Sequence, residues 1–173
     1  VACMLDHPGV VLTTSGRSSI TLALELLGVA PGEPVLLPTY HCPTMVAPAV
    51  TLGATPRFYA LDAQGTPDLA ALSQQDLSGV RVMLAAHYFG LPQPMQRIRA
   101  WCDARNIALI EDCAHALFGQ ADGRPIGRWG TLAIGSLTKF LPVSEGGCLV
   151  RGATAGLPVL QGRTLRSEVK AWV

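Results

Sequence analysis

Short apolar runs alternate with amphipathic segments along this chain, and no other feature of the sequence constrains its fold as strongly. Strand-like runs occupy residues 10–14, 34–39, 55–61, 80–90, 107–112, 131–137 and 146–152, and helix-like segments occupy 16–28, 42–53, 66–75 and 94–106. This alternation predicts an α/β domain, a three-layer αβα sandwich with a mostly parallel central sheet and helices on both faces. The segment between 131–137 and 146–152 is too short for a crossover helix, which predicts an antiparallel or mixed edge there.

Local signals refine three of the helices. Thr66 is a candidate N-cap with Pro67 at the first helical position, and Pro48 predicts a kink in the second helix. The fourth helix has an apolar stripe at helical spacing, made of Met95, Ile98, Trp101 and Cys102. The Gly-rich segment 118–130 is predicted to be a loop.

The composition indicates one globular domain and disfavours two classes of partner. Of 173 residues, 49% are hydrophobic and 14% are charged, enough apolar material for a generous core. The formal net charge is +1 with the basic residues scattered singly, so neither nucleic acid nor a membrane surface is an expected partner. Gly, Pro or a charge interrupts every apolar run well short of the roughly 20 residues that a membrane-spanning helix needs.

The cysteines and the N-terminus bear on the compartment. Five cysteines without a CxxC pair predict reduced thiols in the cytoplasm rather than disulfides or a zinc site, and no metal is expected. The first residues lack the pattern of a secretory signal and begin without Met, so we expect a cytoplasmic chain that is a piece of a longer one.

Polar residues follow several of the predicted strands. In parallel sheets ligands bind at the carboxyl ends of the strands. The polar stretches at those ends are 13–19 (TTSGRSS), 38–42 (PTYHC), 87–90 (HYFG) and 111–116 (EDCAHA). Lys139 comes just after another strand and is therefore expected at the same edge.

The first of these stretches has several features of a phosphate-binding site. Free N–H groups at a helix start, the positive end of the helix dipole and nearby hydroxyls all favour a bound phosphate at 15–19. The stretch is neither a GxxxxGK[ST] nor a GxGxxG motif, and an ordinary Ser-rich N-cap remains the alternative.

Asp112 and Lys139 extend this pattern towards one kind of chemistry. Asp112 either caps a turn or, as a buried carboxylate, holds a protonated pyridine nitrogen, and His115 either faces the same cavity or is a packed structural residue. Lys139 is either a solvated surface lysine or an amine that reacts with an aldehyde, and its apolar neighbours predict partial desolvation. A phosphate site, a carboxylate for the ring nitrogen and a reactive amine are what pyridoxal phosphate (PLP) asks of a protein.

Five segments together resemble the DegT/StrS family of PLP-dependent sugar aminotransferases, which belongs to the aspartate aminotransferase fold group, fold type I. The segments are TSGRSSITLALELLGVAPGEPVLLPTY, GATPRFYALD, HYFGLPQPM, IALIEDCAHALFG and TKFLPVSEGGCLV. They occur in the order and spacing of the family from about Thr13 to Val150.

The resemblance implies roles for residues at both ends of the site. Gly16, Arg17 and Ser18 stand where family members bind the cofactor phosphate through backbone N–H groups, although Arg17 replaces the usual Thr. Asp112 stands where the family places the partner of the pyridinium nitrogen, and His115 where it places a residue beside the ring hydroxyl.

It also implies the covalent anchor and two further contacts. Lys139, followed by Glu-Gly-Gly at 145–147, corresponds to the lysine that bonds covalently to the cofactor, and Ser136 to a phosphate-binding serine. The aromatic residue that stacks on the cofactor ring falls on Cys42 in the simplest register; Tyr40 or His41 is the substitute, and His41 is preferred.

Fold and function follow from the resemblance as expectations. Residues 1–173 would form the PLP-binding large domain of a homodimer, without the small C-terminal domain. The expected reaction moves an amino group from an amino acid to a keto group on a nucleotide-linked sugar or a related metabolite. One alternative is a non-catalytic PLP-binding or regulatory domain. The other is a PLP-dependent sugar dehydratase relative, against which Lys139 argues because dehydratases usually have His in its place.

Overall fold

A central sheet and the helices around it account for most of the chain in our computed structural model, which describes residues 1–151. In this range the strands are β1 (Val11–Thr13), β2 (Pro34–Pro38), β3 (Thr55–Tyr59), β4 (Val82–Ala86), β5 (Ala108–Asp112), β6 (Gln120–Ala121), β7 (Arg124–Pro125), β8 (Leu132–Ser136) and β9 (Gly147–Arg151). The α-helices are α1 (Gly16–Leu26), α2 (Pro43–Thr51), α3 (Leu69–Leu72) and α4 (Met95–Asp103). Short 3-10 turns cover Met4–Asp6, Tyr88–Gly90 and Leu137–Lys139.

The main sheet has seven strands in the order β1-β9-β8-β5-β4-β2-β3. Strands β3, β2, β4, β5 and β8 pair in parallel, whereas β9 is antiparallel to both β8 and β1. This confirms the predicted mostly parallel sheet and its antiparallel edge. The last residue of the predicted strand 146–152, and the rest of the predicted domain up to residue 173, lie outside the described residues.

Alternating side chains divide the core into two layers. Leu36, Met83 and Leu109 belong to one buried cluster, which also contains the buried residues of α3 and α4. Their strand neighbours Val35 and Leu84 belong to a second cluster, with the buried residues of α1 and α2. Because successive residues of a strand point to opposite faces, the helices cover both faces of the sheet, as predicted.

Several predicted boundaries are wrong, each for a local reason. Helix α3 is only four residues long and is capped by Asp68, whose Oδ1 accepts the Ala71 N–H at 2.9 Å, so neither Thr66 nor Pro67 starts it. The predicted loop 118–130 contains the β6–β7 hairpin.

The other corrections concern β4 and the helices. The strand predicted at 80–90 ends at Ala86, because Phe89 and Gly90 take positive φ angles that a strand cannot accommodate. Helix α2 contains Pro48, as expected, with Pro43 in its first turn. The predicted stripe of α4 is confirmed as buried. Within residues 1–151 no helix is long and apolar enough to cross a membrane.

Candidate active site

A cavity of about 740 Å³ lies at the carboxyl ends of the parallel strands, beside the first residues of α1 and α2. Asp112 ends β5 in register with Ala86 of β4 and Ile134 of β8, and all three residues line the cavity. Every site residue predicted from the sequence lines it too: Gly16, Arg17, Ser18, His41, Asp112, His115, Ser136 and Lys139. Residues from four separate polar stretches and from the turn after β8 therefore meet in one place.

The start of α1 offers backbone N–H groups to this cavity. Ser15 is the N-cap, and its Oγ accepts the Ser18 N–H at 3.1 Å, while the Ser19 N–H donates to the Ser15 carbonyl at 3.0 Å. Within the described residues the N–H groups of Gly16 and Arg17 have no such partner, as expected for a first helical turn. These two groups, rather than the Ser18 amide, are available to an anion at the positive end of the helix.

Glycines let this helix start lie against the neighbouring strands. A Cβ on Gly16 would lie 3.2 Å from the Ser136 Cβ. A Cβ on Gly147 would overlap the backbone carbonyl of Ser15 and would lie 2.6 Å from the Thr13 Oγ1. The Gly146 N–H also donates to the Thr14 carbonyl at 2.9 Å, so the Gly-Gly pair at 146–147 holds the segment before α1 in place.

Asp112 is a buried carboxylate with an incomplete set of partners. Its Oδ1 accepts the Ala114 N–H at 2.9 Å, and Oδ2 accepts no hydrogen bond from residues 1–151. Burial raises the pKa of Asp112, and the Ala114 N–H and the positive charge of Lys139 oppose that rise only in part. A cationic N–H donor in the cavity would satisfy this carboxylate.

Lys139 and Ser136 occupy the turn that follows β8. Ser136 is buried, and its Oγ lies 3.3 Å from the Thr138 Oγ1. Lys139 ends the 3-10 turn, lines the cavity and is exposed, and the expectation that apolar neighbours partly desolvate it stays a prediction.

The two predicted histidines differ in their hydrogen bonds. His41 Nδ1 lies 2.8 Å from the Pro38 carbonyl, which can only accept, so this nitrogen carries a proton. The His41 ring stacks on Phe58 with centroids 4.8 Å apart. His115 Nδ1 accepts the Phe89 N–H at 3.4 Å, and burial together with the charge of Lys139 lowers its pKa.

Aromatic residues form a wall of the cavity, and the sequence predicted a role for only one of them, Tyr40, as a candidate to stack on the cofactor ring. The Tyr40 ring lies 5.3 Å from that of Tyr88 and 6.2 Å from that of Phe89. Tyr88 donates its hydroxyl to the Tyr40 carbonyl at 2.6 Å, and burial raises its pKa, so it remains a neutral donor. The signal was present in the stretch HYFG, but which of its side chains face the cavity depends on the turn at Tyr88–Gly90.

Behind Asp112, in the core, Glu111 and His87 form a second polar pair. Both side chains are fully buried, and the Glu111 Oε1 lies 3.0 Å from the His87 Nε2. His87 Nδ1 accepts the Gln93 N–H at 3.0 Å, so the ring proton resides on Nε2 and the ring is a neutral donor to the carboxylate. Together with Cys113 these residues are the one group of possible metal ligands within residues 1–151, but hydrogen bonds already engage the histidine and the carboxylate.

Glu111 also fixes the loop before β8. It accepts backbone N–H groups of Gly127 at 2.9 Å, Trp129 at 2.8 Å and Gly130 at 3.0 Å. Burial by itself raises its pKa, but the hydrogen bonds from His87 and this loop outweigh burial and hold the pKa below its usual value. The pair is therefore a structural network that connects three segments around the site.

Comparison with known proteins identifies the fold and the family. The profile of the DegT/DnrJ/EryC1/StrS aminotransferase family matches residues 1–154. The chain is 31% identical over 144 residues to protein MosB of Rhizobium meliloti, covering 82% of this chain and 28% of MosB. It is 31% identical over 152 residues to the UDP-N-acetyl-3-dehydro-alpha-D-glucosamine 3-aminotransferase of Acidithiobacillus ferrooxidans, covering 83% and 40% of the two chains.

Solved structures agree with the sequence comparison. The aminotransferase from Psychrobacter cryohalolentis superposes with a TM-score of 0.78 at 25% identity, covering 84% of this chain and 38% of that one. The fold is that of fold type I PLP enzymes, as predicted, and the family depends on PLP. The chain thus spans less than half the length of the relatives described here.

Proposed function

The chain belongs to the DegT/DnrJ/EryC1/StrS aminotransferase family, and from this premise we propose that it is a PLP-dependent aminotransferase. The amino group would pass from an amino acid to a keto group on a nucleotide-linked sugar. One observation carries the proposal: a lysine, a carboxylate and a helix start with free N–H groups, the three features that PLP requires, line one cavity.

The cavity residues fit the cofactor at each of its functional groups. Two backbone N–H groups, of Gly16 and Arg17, remain for the phosphate at the start of α1. Asp112 lines the cavity, and its Oδ2 accepts no hydrogen bond within residues 1–151, which suits a protonated ring nitrogen. Lys139 is the one charged amine among the lining residues.

When bound, PLP supplies an electron-poor ring that stabilises negative charge on the carbon bearing the substrate amine. Lys139 would hold the cofactor through its Nζ and, as a free amine, would act as a general base towards the proton on that carbon. Asp112 would keep the ring nitrogen protonated through its carboxylate. The N–H groups of Gly16 and Arg17 would hold the phosphate of the cofactor.

The names of relatives support the substrate class. The Acidithiobacillus relative is named for a 3-keto sugar linked to UDP. The lining also suits an anionic substrate, since Arg17 and Lys139 are both cationic and Asp112 is the one acidic residue among them.

A homodimer in the cytoplasm is part of the same proposal. Phe118, Phe140 and Val143 are exposed apolar side chains close in sequence to the site residues, and none of the three lines the cavity. Such side chains are typical of a protein interface. All five cysteines are unpaired thiols, which suits a reducing compartment.

Borohydride reduction followed by peptide mass spectrometry tests the proposal directly. The chain contains two lysines, Lys139 and Lys170. We expect the cofactor mass on the peptide with Lys139, and loss of the cofactor absorbance band in Lys139→Ala but not in the matched control Lys170→Ala. A wild-type protein that takes up no PLP would overturn the proposal.

Donor kinetics separate the aminotransferase from a non-catalytic PLP-binding domain. An aminotransferase loses its cofactor absorbance band when glutamate or glutamine is added, because the amino group moves to the cofactor. A binding domain keeps the band unchanged with both donors. The Lys139→His variant, which has the residue usual in the dehydratases, is expected to lose amino transfer.

A further inference from the structure

Phe89 has a backbone conformation that an aromatic residue rarely adopts. Its φ is 55° and its ψ is 24°, in the left-handed region, where a side chain with a Cβ is disfavoured. Gly90 follows with φ 78°, and a Cβ there would lie 3.3 Å from the His115 carbonyl, so the turn is held against the segment after β5. Glycine would adopt the conformation of Phe89 without strain.

Burial of the Phe89 ring does not compensate for this backbone strain. The residue is 71% exposed, the most exposed phenylalanine within residues 1–151, yet it lines the cavity. Its ring centroid lies 6.1 Å from that of His115, at an interplanar angle of 27°, and 6.2 Å from that of Tyr40. Strained residues that contribute little to the core are concentrated at functional sites.

We propose that Phe89 is a specificity-determining residue whose ring forms an apolar face against which the sugar ring of the amino acceptor packs. The inference rests on the proposed function and adds a contact to it. A sugar ring has a face of C–H groups that an exposed aromatic ring can cover, and ligand cavities are commonly lined by aromatic side chains.

The location of Phe89 favours the sugar over the nucleobase. The Phe89 N–H donates to His115 at 3.4 Å, and His115 follows Asp112 by three residues. Lys139 lines the same cavity as His115 and Asp112. Phe89 therefore shares one cavity with the amine and the ring carboxylate, and the reacting part of a substrate must reach these two groups.

Binding to the PLP-loaded chain tests this contact. The probes are UDP-N-acetylglucosamine, GDP-mannose and dTDP-glucose, each compared with its free nucleoside diphosphate by titration calorimetry. For the sugar nucleotide that binds the wild type best, we expect Phe89→Ala to raise Kd at least tenfold. Phe89→Tyr, which keeps the ring, should stay within threefold of the wild type.

Two controls isolate the ring from the fold. Leu91→Ala removes a neighbouring exposed apolar side chain that does not line the cavity, and Kd should change less than twofold. Phe89→Gly and Phe89→Ala both lack the ring, so a difference in Tm reports the backbone strain; we expect Gly to melt about 2–4 °C higher.

Each result decides between contact and no contact. The inference is wrong if Phe89→Ala binds every sugar nucleotide with the Kd of the wild type. It is also wrong if the substitution raises Kd for the free nucleoside diphosphates as much as for the sugar nucleotides. In both cases PLP binding and donor turnover would stay intact, so the proposed function would stand. A wild type that reacts with an amino donor but binds none of the probes also overturns it. Failure to bind PLP at all would instead overturn the proposed function, and the inference with it.

Discussion

Gly16 at the start of α1 approaches Ser136 at the end of β8 so closely that a Cβ on Gly16 would lie 3.2 Å from the Ser136 Cβ. The contact joins the turn that offers N–H groups to a phosphate with the strand that leads to Lys139. The helix start can lie this close to the sheet because residue 16 has no side chain.

For Gly16→Ala we expect PLP affinity to fall about tenfold, roughly 1.4 kcal/mol, because the helix start must move a few tenths of an ångström from β8. Stability should change little, since alanine also restricts the unfolded chain. Absorbance titration with PLP and urea unfolding measure the two effects. Unchanged PLP affinity would mean that the phosphate does not bind at this turn.

Gly147→Ala is expected to be more damaging, because its Cβ would overlap the rigid Ser15 backbone. We predict a loss of about 3 kcal/mol in the free energy of unfolding, at the upper end for overpacking. Gly9→Ala is the matched control, since its Cβ would meet the His7 ring at 3.5 Å, an ordinary contact. Equal stability of the two variants in urea would contradict this reading of the Gly-Gly pair.

Asp112→Asn should separate stability from activity. Burial raises the Asp112 pKa above its ordinary 3.8, so the folded chain binds this proton more tightly than the unfolded chain. The stabilising contribution of the protonated carboxyl is therefore present below pH 3.8 and is lost as pH rises through the folded pKa. At neutral pH we expect the cofactor-free Asn variant to be at least as stable as the wild type, and amino transfer to be about 100-fold slower or worse. Urea unfolding across pH and donor kinetics measure both effects, and a variant with full activity would remove Asp112 from the mechanism.

Glu111→Gln should destabilise the chain by about 3 kcal/mol, because an amide nitrogen at either carboxylate position would face N–H donors. The pKa of Glu111 is lowered, so its stabilising contribution is present above its ordinary value of 4.5 and is lost as pH falls through the folded pKa. Thermal unfolding between pH 3 and 7 measures the slope of stability against pH. The exposed carboxylate Glu25 in α1 provides the control, and Glu25→Gln should leave the slope nearly unchanged.

Arg17→Thr restores the residue usual in the family at the second position of α1. A cation at a helix N-terminus is unfavourable, so the variant should be slightly more stable in low salt, by about 0.3–1 kcal/mol. Loss of the guanidinium should also weaken inorganic phosphate binding a few-fold and reduce its salt dependence. Arg57→Thr, on β3 and away from the cavity lining, is the control. Phosphate affinity and salt dependence equal to the wild type would show that Arg17 acts through its backbone alone.

Much of the site could be predicted because parallel topology brings distant residues together. Residues 16, 112 and 139 follow different strands, and strands that run in one direction end at the same edge of the sheet. The resemblance to the family then assigned roles to these residues. Individual local contacts could not be predicted from the sequence. Asp68 rather than Thr66 caps α3, and the Ser18 N–H donates to Ser15 rather than to a ligand.

The sequence by itself determined the order of strands and helices, the two-layered core and the edge where polar residues meet, because these follow from the periodicity of apolar side chains. Only the tertiary structure decided that Lys139 is exposed, that His87 donates a hydrogen bond to Glu111 in the core, and that Phe89 occupies a strained turn at the cavity. The burial of a side chain, the tautomer of a histidine and the strain of a turn depend on residues far away in the chain. A local sequence pattern does not identify those residues.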